Sequence, residues 1–264
     1  MSIDGFDDNF IWNEHQWENH LNEIEKKSEQ LRRFITADPK GNTPRWLMLL
    51  QENMDELDAV EAFIEEELLL DEAYFPDDLD WDDDDEDDDW DDDFFFYEDE
   101  DEDFSFPDDY DDDEEDDDFY YGEEWKSLSD EFAHSDYGSI ENMKLFKDSR
   151  DYAVDVLRWA EYISPKYHSK TYHEYVNNIL KISAKLAGGY SFGFELDVLG
   201  GNIAYTKKAL YSANEALSEL QKLKKEPFMK SSVYKQMHAR LFELRNDIGV
   251  YIQEMRDRFN LGFE

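Results

Sequence analysis

The chain has 264 residues, with 70 Asp and Glu against 26 Lys and Arg, a formal net charge of −44 and no cysteine. Disulfides, thiolate metal sites and thiol nucleophiles are therefore excluded, and a surface of this sign repels naked nucleic acid and anionic lipid headgroups. The charge is segregated: residues 1–70 hold 17 acids and 6 bases, residues 71–124 hold 34 acids and no Lys or Arg, and residues 125–264 hold 19 acids and 20 bases, so the acidity is a local device and not a property of every solvated face.

The opening MSIDGFDDNF has neither the basic nor the apolar region of a secretion signal. No apolar run reaches the roughly 20 residues that span a bilayer. The expectation is a soluble, cytoplasmic protein. Trp17, Leu21, Ile24, Ser28, Leu31 and Ile35 then fall on one helical stripe, with Asn13 and Gln16 as a capping box. Pro39 and Gly41 break this helix. Thr43 can cap a second one, with Pro44 at its first position. Leu47, Leu50, Met54, Leu57, Ile64 and Leu68 continue one face of that helix. Residues 1–70 thus read as a helical hairpin that packs on the C-terminal bundle, because two helices alone bury too little surface.

From Asp71 to Glu124 periodicity ends. The stretch holds 25 Asp and only 9 Glu, and Asp competes for backbone hydrogen bonds inside helices. Burying its rings would drag carboxylates out of water. Residues 71–124 are expected to be a disordered insert.

Helical periodicity resumes after Gly138. Ser139 can cap a helix carrying Phe146, Ser149, Ala153, Val156, Ala160 and Ile163, stopped by Pro165. Tyr172, Tyr175, Ile179, Ile182 and Leu186 form the next stripe, closed by Gly188 and Gly189 as a C-terminal signal. Ile203, Leu210, Ala213, Leu217 and Leu220 mark a third helix. Tyr234, Met237, Leu241, Leu244, Ile248, Tyr251 and Met255 mark a last one. The fold class expected is all-α: a bundle of about six helices, with the acidic insert between helices 2 and 3 and a four-helix unit over 125–264.

The insert is the first candidate site. Fifteen rings stand between Tyr74 and Trp125, which a purely solubilising stretch has no need of. Its densest part, Trp81, Asp82, Asp83, Asp84, Asp85, Trp90, Asp91, Asp92, Asp93, Phe94, Phe95, Phe96 and Tyr97, with Phe104, Phe106 and Tyr110, is read as a surface for a basic partner protein. Carboxylates speed encounter, and each exposed ring adds about 0.5–1 kcal/mol of cation–π contact. The composition resembles that of acidic tails that shield histones and other nucleic-acid-binding proteins, which implies a shielding, chaperone-like or DNA-mimic role. Extended, the insert offers roughly one charge per 5 Å, against one per 1.7 Å of DNA axis. The insert can also contact Lys207, Lys208, Lys222, Lys224 and Lys225 within the chain. The bland alternative is a solvated spacer whose rings pack back on the bundle.

Gly188, Gly189, Gly200, Gly201 and Asn202 form the second candidate, either a ligand-binding turn or a tight-packing turn. Metal and catalytic patterns are sparse. Glu131 and His134 make a single Glu-x-x-His pair, where a di-iron bundle needs two. Asp78, Asp80 and Asp82 begin like a calcium loop that fails at Asp83 and Asp89. His168 and His173, like His15 and His20, are five apart and share no helical face well. No metal and no cofactor is expected. The reading is a non-enzymatic interaction protein. The alternative is a small-molecule or metal-dependent enzyme or binding module in the bundle, with the insert solubilising or autoinhibitory.

Overall fold

A computed structural model describes residues 11–35, 43–72 and 139–261. Among them the fold is all-α, with seven α-helices: α1 (Glu14–Ile35), α2 (Arg45–Glu52), α3 (Glu56–Glu72), α4 (Lys144–Glu161), α5 (Lys170–Ser191), α6 (Leu199–Leu223) and α7 (Ser231–Leu261). Short 3₁₀ turns precede α4 (Ile140–Asn142) and α5 (Pro165–Tyr167). α3 extends through Asp71 and Glu72, two residues into the expected insert, and residues 73–124 lie outside the described residues. No helix among the described residues is long and apolar enough to cross a membrane.

Local chemistry sets the helix starts. Asn13 Oδ1 accepts from the backbone N–H of Gln16, and Gln16 Oε1 accepts from that of Asn13. Each side chain thereby satisfies an amide that the first helical turn leaves without a partner. Ser169 Oγ accepts from Tyr172 N in the same way at α5. The seventh helix arises because the expected second helix is broken. Asn53 Nδ2 donates to Leu49 O and closes α2. Asp55 Oδ1 then accepts from Leu57 N and Asp58 N and opens α3. Met54, placed by periodicity on the buried face, is 96% exposed at this break. The buried face of α3 is instead Ala59, Val60, Phe63, Ile64 and Glu67. Thr43 and Pro44 also move out by one place: Pro44 is the cap residue of α2, with no side-chain cap bond.

The order of contacts fixes the directions. Glu56 meets Arg158 and Glu61 meets Arg150, so α3 and α4 run antiparallel. Tyr172 Oη donates to Ala160 O, and Asn178 Nδ2 donates to Glu219, so α4, α5 and α6 alternate in direction. Arg245 on α7 reaches Asn214 on α6. α3 lies parallel to α5, with Glu67 beside Lys185. The core gathers Trp46, Phe63, Phe146, Tyr172, Tyr175 and Ile179 with the inner stripe of α7, Met237 to Met255. α1 rests on α6 through a smaller cluster of Leu21, Ile24, Ala204 and Tyr205.

Candidate functional site

The Asp and aromatic residues from Trp81 to Tyr110, and the pair Glu131 and His134, lie outside the described residues. The glycine cluster is described, and it is helical where a turn was expected. α5 continues through Gly188 and Gly189 to Ser191, and Gly200 and Gly201 sit in the first turn of α6. The stop signal is overridden because the helices pack closely here. A Cβ at Gly188 would come within 2.8 Å of the Tyr205 ring, and one at Gly201 within 2.6 Å of Phe192. A Cβ at Gly200 would lie 2.6 Å from the backbone oxygen of Trp12, and one at Gly189 3.0 Å from Thr206 Oγ1. The space is filled by protein. The reversal itself falls at Gly193, whose φ of 87° lies in the left-handed region. Asn202 Nδ2 donates to Gly193 O at 3.1 Å and fastens the connection.

The lysines divide into two groups. Lys207 Nζ is 2.6 Å from Glu18, and Lys208 Nζ is 2.6 Å from Glu25. Both acids belong to α1. Arg256 of α7 adds two hydrogen bonds to Glu14. These bonds, with the Arg256 and Lys207 charges, hold the Glu14 carboxyl below its usual range against the opposing effect of burial. Beside this seam, a cleft of about 490 Å³ brings Lys181 and Lys185 together with Lys207, Lys208, Glu18 and Glu25. At the other end of α6, Lys222, Lys224 and Lys225 are exposed, and Lys224 lies 4.8 Å over the Tyr234 ring.

Three further arrangements were not read from the sequence. The first is a buried ion pair. Lys185 Nζ stands 3.6 Å from Glu67, their side chains are 5% and 3% exposed, and the Tyr205 ring lies 5.3 Å from the ammonium. The signal was present: each is a charged residue on an otherwise apolar stripe, Val60-Phe63-Ile64-Glu67 and Ile182-Lys185-Leu186.

The second is a groove between α4 and α7. It opens as two adjoining hollows of about 300 and 250 Å³, which share Tyr152 and Arg240. Trp159, Tyr162 and Met237 line one, and Lys144, Asp148, Glu243 and Asp247 line the other. At its floor the Tyr152 and Tyr175 hydroxyls lie 2.8 Å apart, and Tyr152 also donates to Met237 O. Burial raises both phenols well above the usual tyrosine range, so neither serves as a base near neutrality.

The third is a ring cluster of Trp46, His168, Tyr172 and His173. The His168 and His173 rings meet edge-on at 5.4 Å, because His168 sits in the turn before α5 and not on the helix. The contact does not need a shared helical face. Among the described residues, His173 Nδ1 and Trp46 Nε1 are buried without a hydrogen-bond partner. Burial, then the neighbouring His168, lowers the His173 pKa below 6.5. No group of three or more His, Asp or Glu among the described residues is placed to hold a metal ion.

The described residues thus define an all-α bundle whose charged seams tie its N-terminal and C-terminal helices together. No protein-family model matches the chain, and no curated protein and no solved structure matches it.

Proposed function

We propose that the chain is a non-enzymatic interaction protein, in which the helical bundle displays the Asp-rich, aromatic-interleaved stretch to a basic partner protein. Charge arithmetic carries this reading. If every one of the 26 Lys and Arg met a carboxylate, 44 of the 70 acids would still lack a cation. The bundle already commits many of its cations to its own acids: Arg45 to Glu66, Arg150 to Glu141, Arg158 to Glu56, Arg240 to Asp155 and Arg256 to Glu14. A segment of 34 acids and no base therefore draws its counter-charge from outside. Trp81, Trp90, Phe94 to Phe96 and Tyr97 supply apolar and cation–π contact once the partner arrives.

The test is capture of a basic protein by the full chain and by a chain lacking residues 77–118, at low and high salt. Deletion leaves helicity nearly unchanged and abolishes capture. Raising salt weakens capture by the full chain steeply. Capture that survives both treatments makes the stretch a spacer and ends the proposal.

A further inference from the structure

The bundle carries a run of exposed lysines that form no ion pair among the described residues. It lies where α6 closes and α7 opens. Lys222, Lys224, Lys225, Lys230 and Lys235 are all exposed, and none makes an ion pair among the described residues. Glu226 is the one acid in the same stretch. Lys166 joins them from the α4–α5 turn, since it lies 4.7 Å over Tyr167, whose ring packs on Phe228 at 5.4 Å. Tyr162, 83% exposed, stands at the same end, beside Val233.

The antiparallel order of α3 and α4 puts Glu72 and Ser139, the residues between which the chain leaves the described bundle, at the opposite end. Arg150 marks that end by pairing with Glu61 and Glu141, while Arg158 pairs with Glu56 toward the lysines. The 18 residues of α4 separate the two ends by about 27 Å. That is more than three Debye lengths at physiological ionic strength, where the length is about 8 Å. The described acids at the far end, Glu61 and Glu141, are therefore screened from the lysines.

We infer that this lysine end is a docking surface for the Asp-rich stretch of a second copy, so that copies associate end to end. The inference rests on the reading that residues 71–124 seek cations, and it adds that one basic surface they take is this chain's own. Charge complementarity carries it. Lysine presents compact point charges suited to carboxylates. The contact joins two different surfaces of the same chain, so it leaves a free lysine end and a free acidic stretch at the extremities and grows with concentration. It also predicts an unusual salt dependence. At about 10 mM salt the Debye length is roughly 30 Å, and whole chains repel. Near 0.15 M the repulsion is cut and the local attraction remains. Near 1 M, where the length is about 3 Å, both are lost.

Sedimentation of the full chain across this salt range tests the inference, beside two full-length variants. One carries Lys222→Glu, Lys224→Glu, Lys225→Glu, Lys230→Glu and Lys235→Glu. The other changes Asp82–Asp85, Asp87–Asp89 and Asp91–Asp93 to Asn. The wild-type mass should rise above the 31.6 kDa monomer near 0.15 M and fall back on either side. Each variant alone should stay monomeric with unchanged helicity, and a mixture of the two should form a pair, since one supplies the lysines and the other the acids. A wild-type chain that is monomeric at every salt concentration, or a mixture that does not pair, overturns the inference. A monomeric wild type that still binds polylysine overturns the self-association alone, whereas failure to bind polylysine overturns the reading beneath it as well.

Discussion

Replacing Lys185 by Met tests the buried pair directly. At 3.6 Å and an effective dielectric of about 20, the attraction between Glu67 and Lys185 is about 4–5 kcal/mol. Taking both charges out of water costs several kcal/mol per ion, so the pair itself adds little net stability. Breaking it is another matter. Lys185→Met removes a cation from beside a carboxylate that is 3% exposed, and should cost about 3–5 kcal/mol. That is a large share of the 5–15 kcal/mol that holds a typical domain together. Glu67→Leu should cost a similar amount for the opposite reason. The double variant removes both buried charges together and should recover most of either single loss. Urea unfolding followed by far-UV circular dichroism measures all four corners of the cycle without adding salt. In Lys185→Met the deficit should also shrink as pH falls toward 4, because a buried carboxyl that has lost a neighbouring cation takes up a proton more readily. A double variant that loses the sum of the two single losses would refute the argument, since the two side chains would then be acting independently.

Glycine packing and acid titration give further outcomes. Gly200→Ala forces a methyl to within 2.6 Å of the Trp12 backbone oxygen and 2.8 Å of the Trp17 ring, and should cost about 1–3 kcal/mol as overpacking. Gly249→Ala, on α7, meets nothing among the described residues within 4 Å and should stabilise by up to about 1 kcal/mol through helix propensity, so thermal melts of the two should move in opposite directions. Acid should destabilise the bundle in two stages. A group whose pKa is lower folded than unfolded takes up fewer protons when folded, so its contribution is complete above the unfolded value and is lost as pH falls through the folded one. For His173 the loss begins below 6.5, and for Glu14 and Glu25 below 4.5. His173→Phe should flatten the first stage of a stability–pH curve and leave the second, and an unchanged first stage would show that burial of this ring does not cause it.

Helix positions were legible where a single period runs between strong signals. The α7 stripe from Met237 to Met255 and the Asn13–Gln16 box are set by local chemistry, and local chemistry is what a sequence displays. The break at Asn53–Asp55 was hidden because Leu50, Met54 and Leu57 keep helical spacing across it. Only the competing hydrogen bonds of the Asn53 and Asp55 side chains reveal the stop. Gly188 and Gly189 misled in the other direction: their backbone freedom suits a helix end, but the ring of Tyr205, 17 residues beyond Gly188, needs the missing Cβ. That requirement is tertiary, and no window of neighbouring residues contains it. The His168–His173 contact was missed for a related reason, since the spacing argument holds on a helix and His168 is not on one.

The segmental charge count hid the most about the candidate surfaces. Residues 1–70 are net acidic and residues 125–264 nearly neutral, and the count within each segment shows no pairing between them. The fold couples them through ion pairs. Glu14 with Arg256, Glu18 with Lys207, Glu25 with Lys208, Glu56 with Arg158, Glu61 with Arg150 and Glu67 with Lys185 each join the first segment to the last. The near-neutrality of the last segment is therefore not a neutral surface. Arg150, Arg158, Lys185, Lys207 and Lys208 meet acids of the first segment, and the lysines at the end of α6 and the start of α7 do not. A balance of charges within one stretch of sequence becomes a separation of charges in space, and the lysines from Lys222 to Lys235 are what that separation leaves exposed.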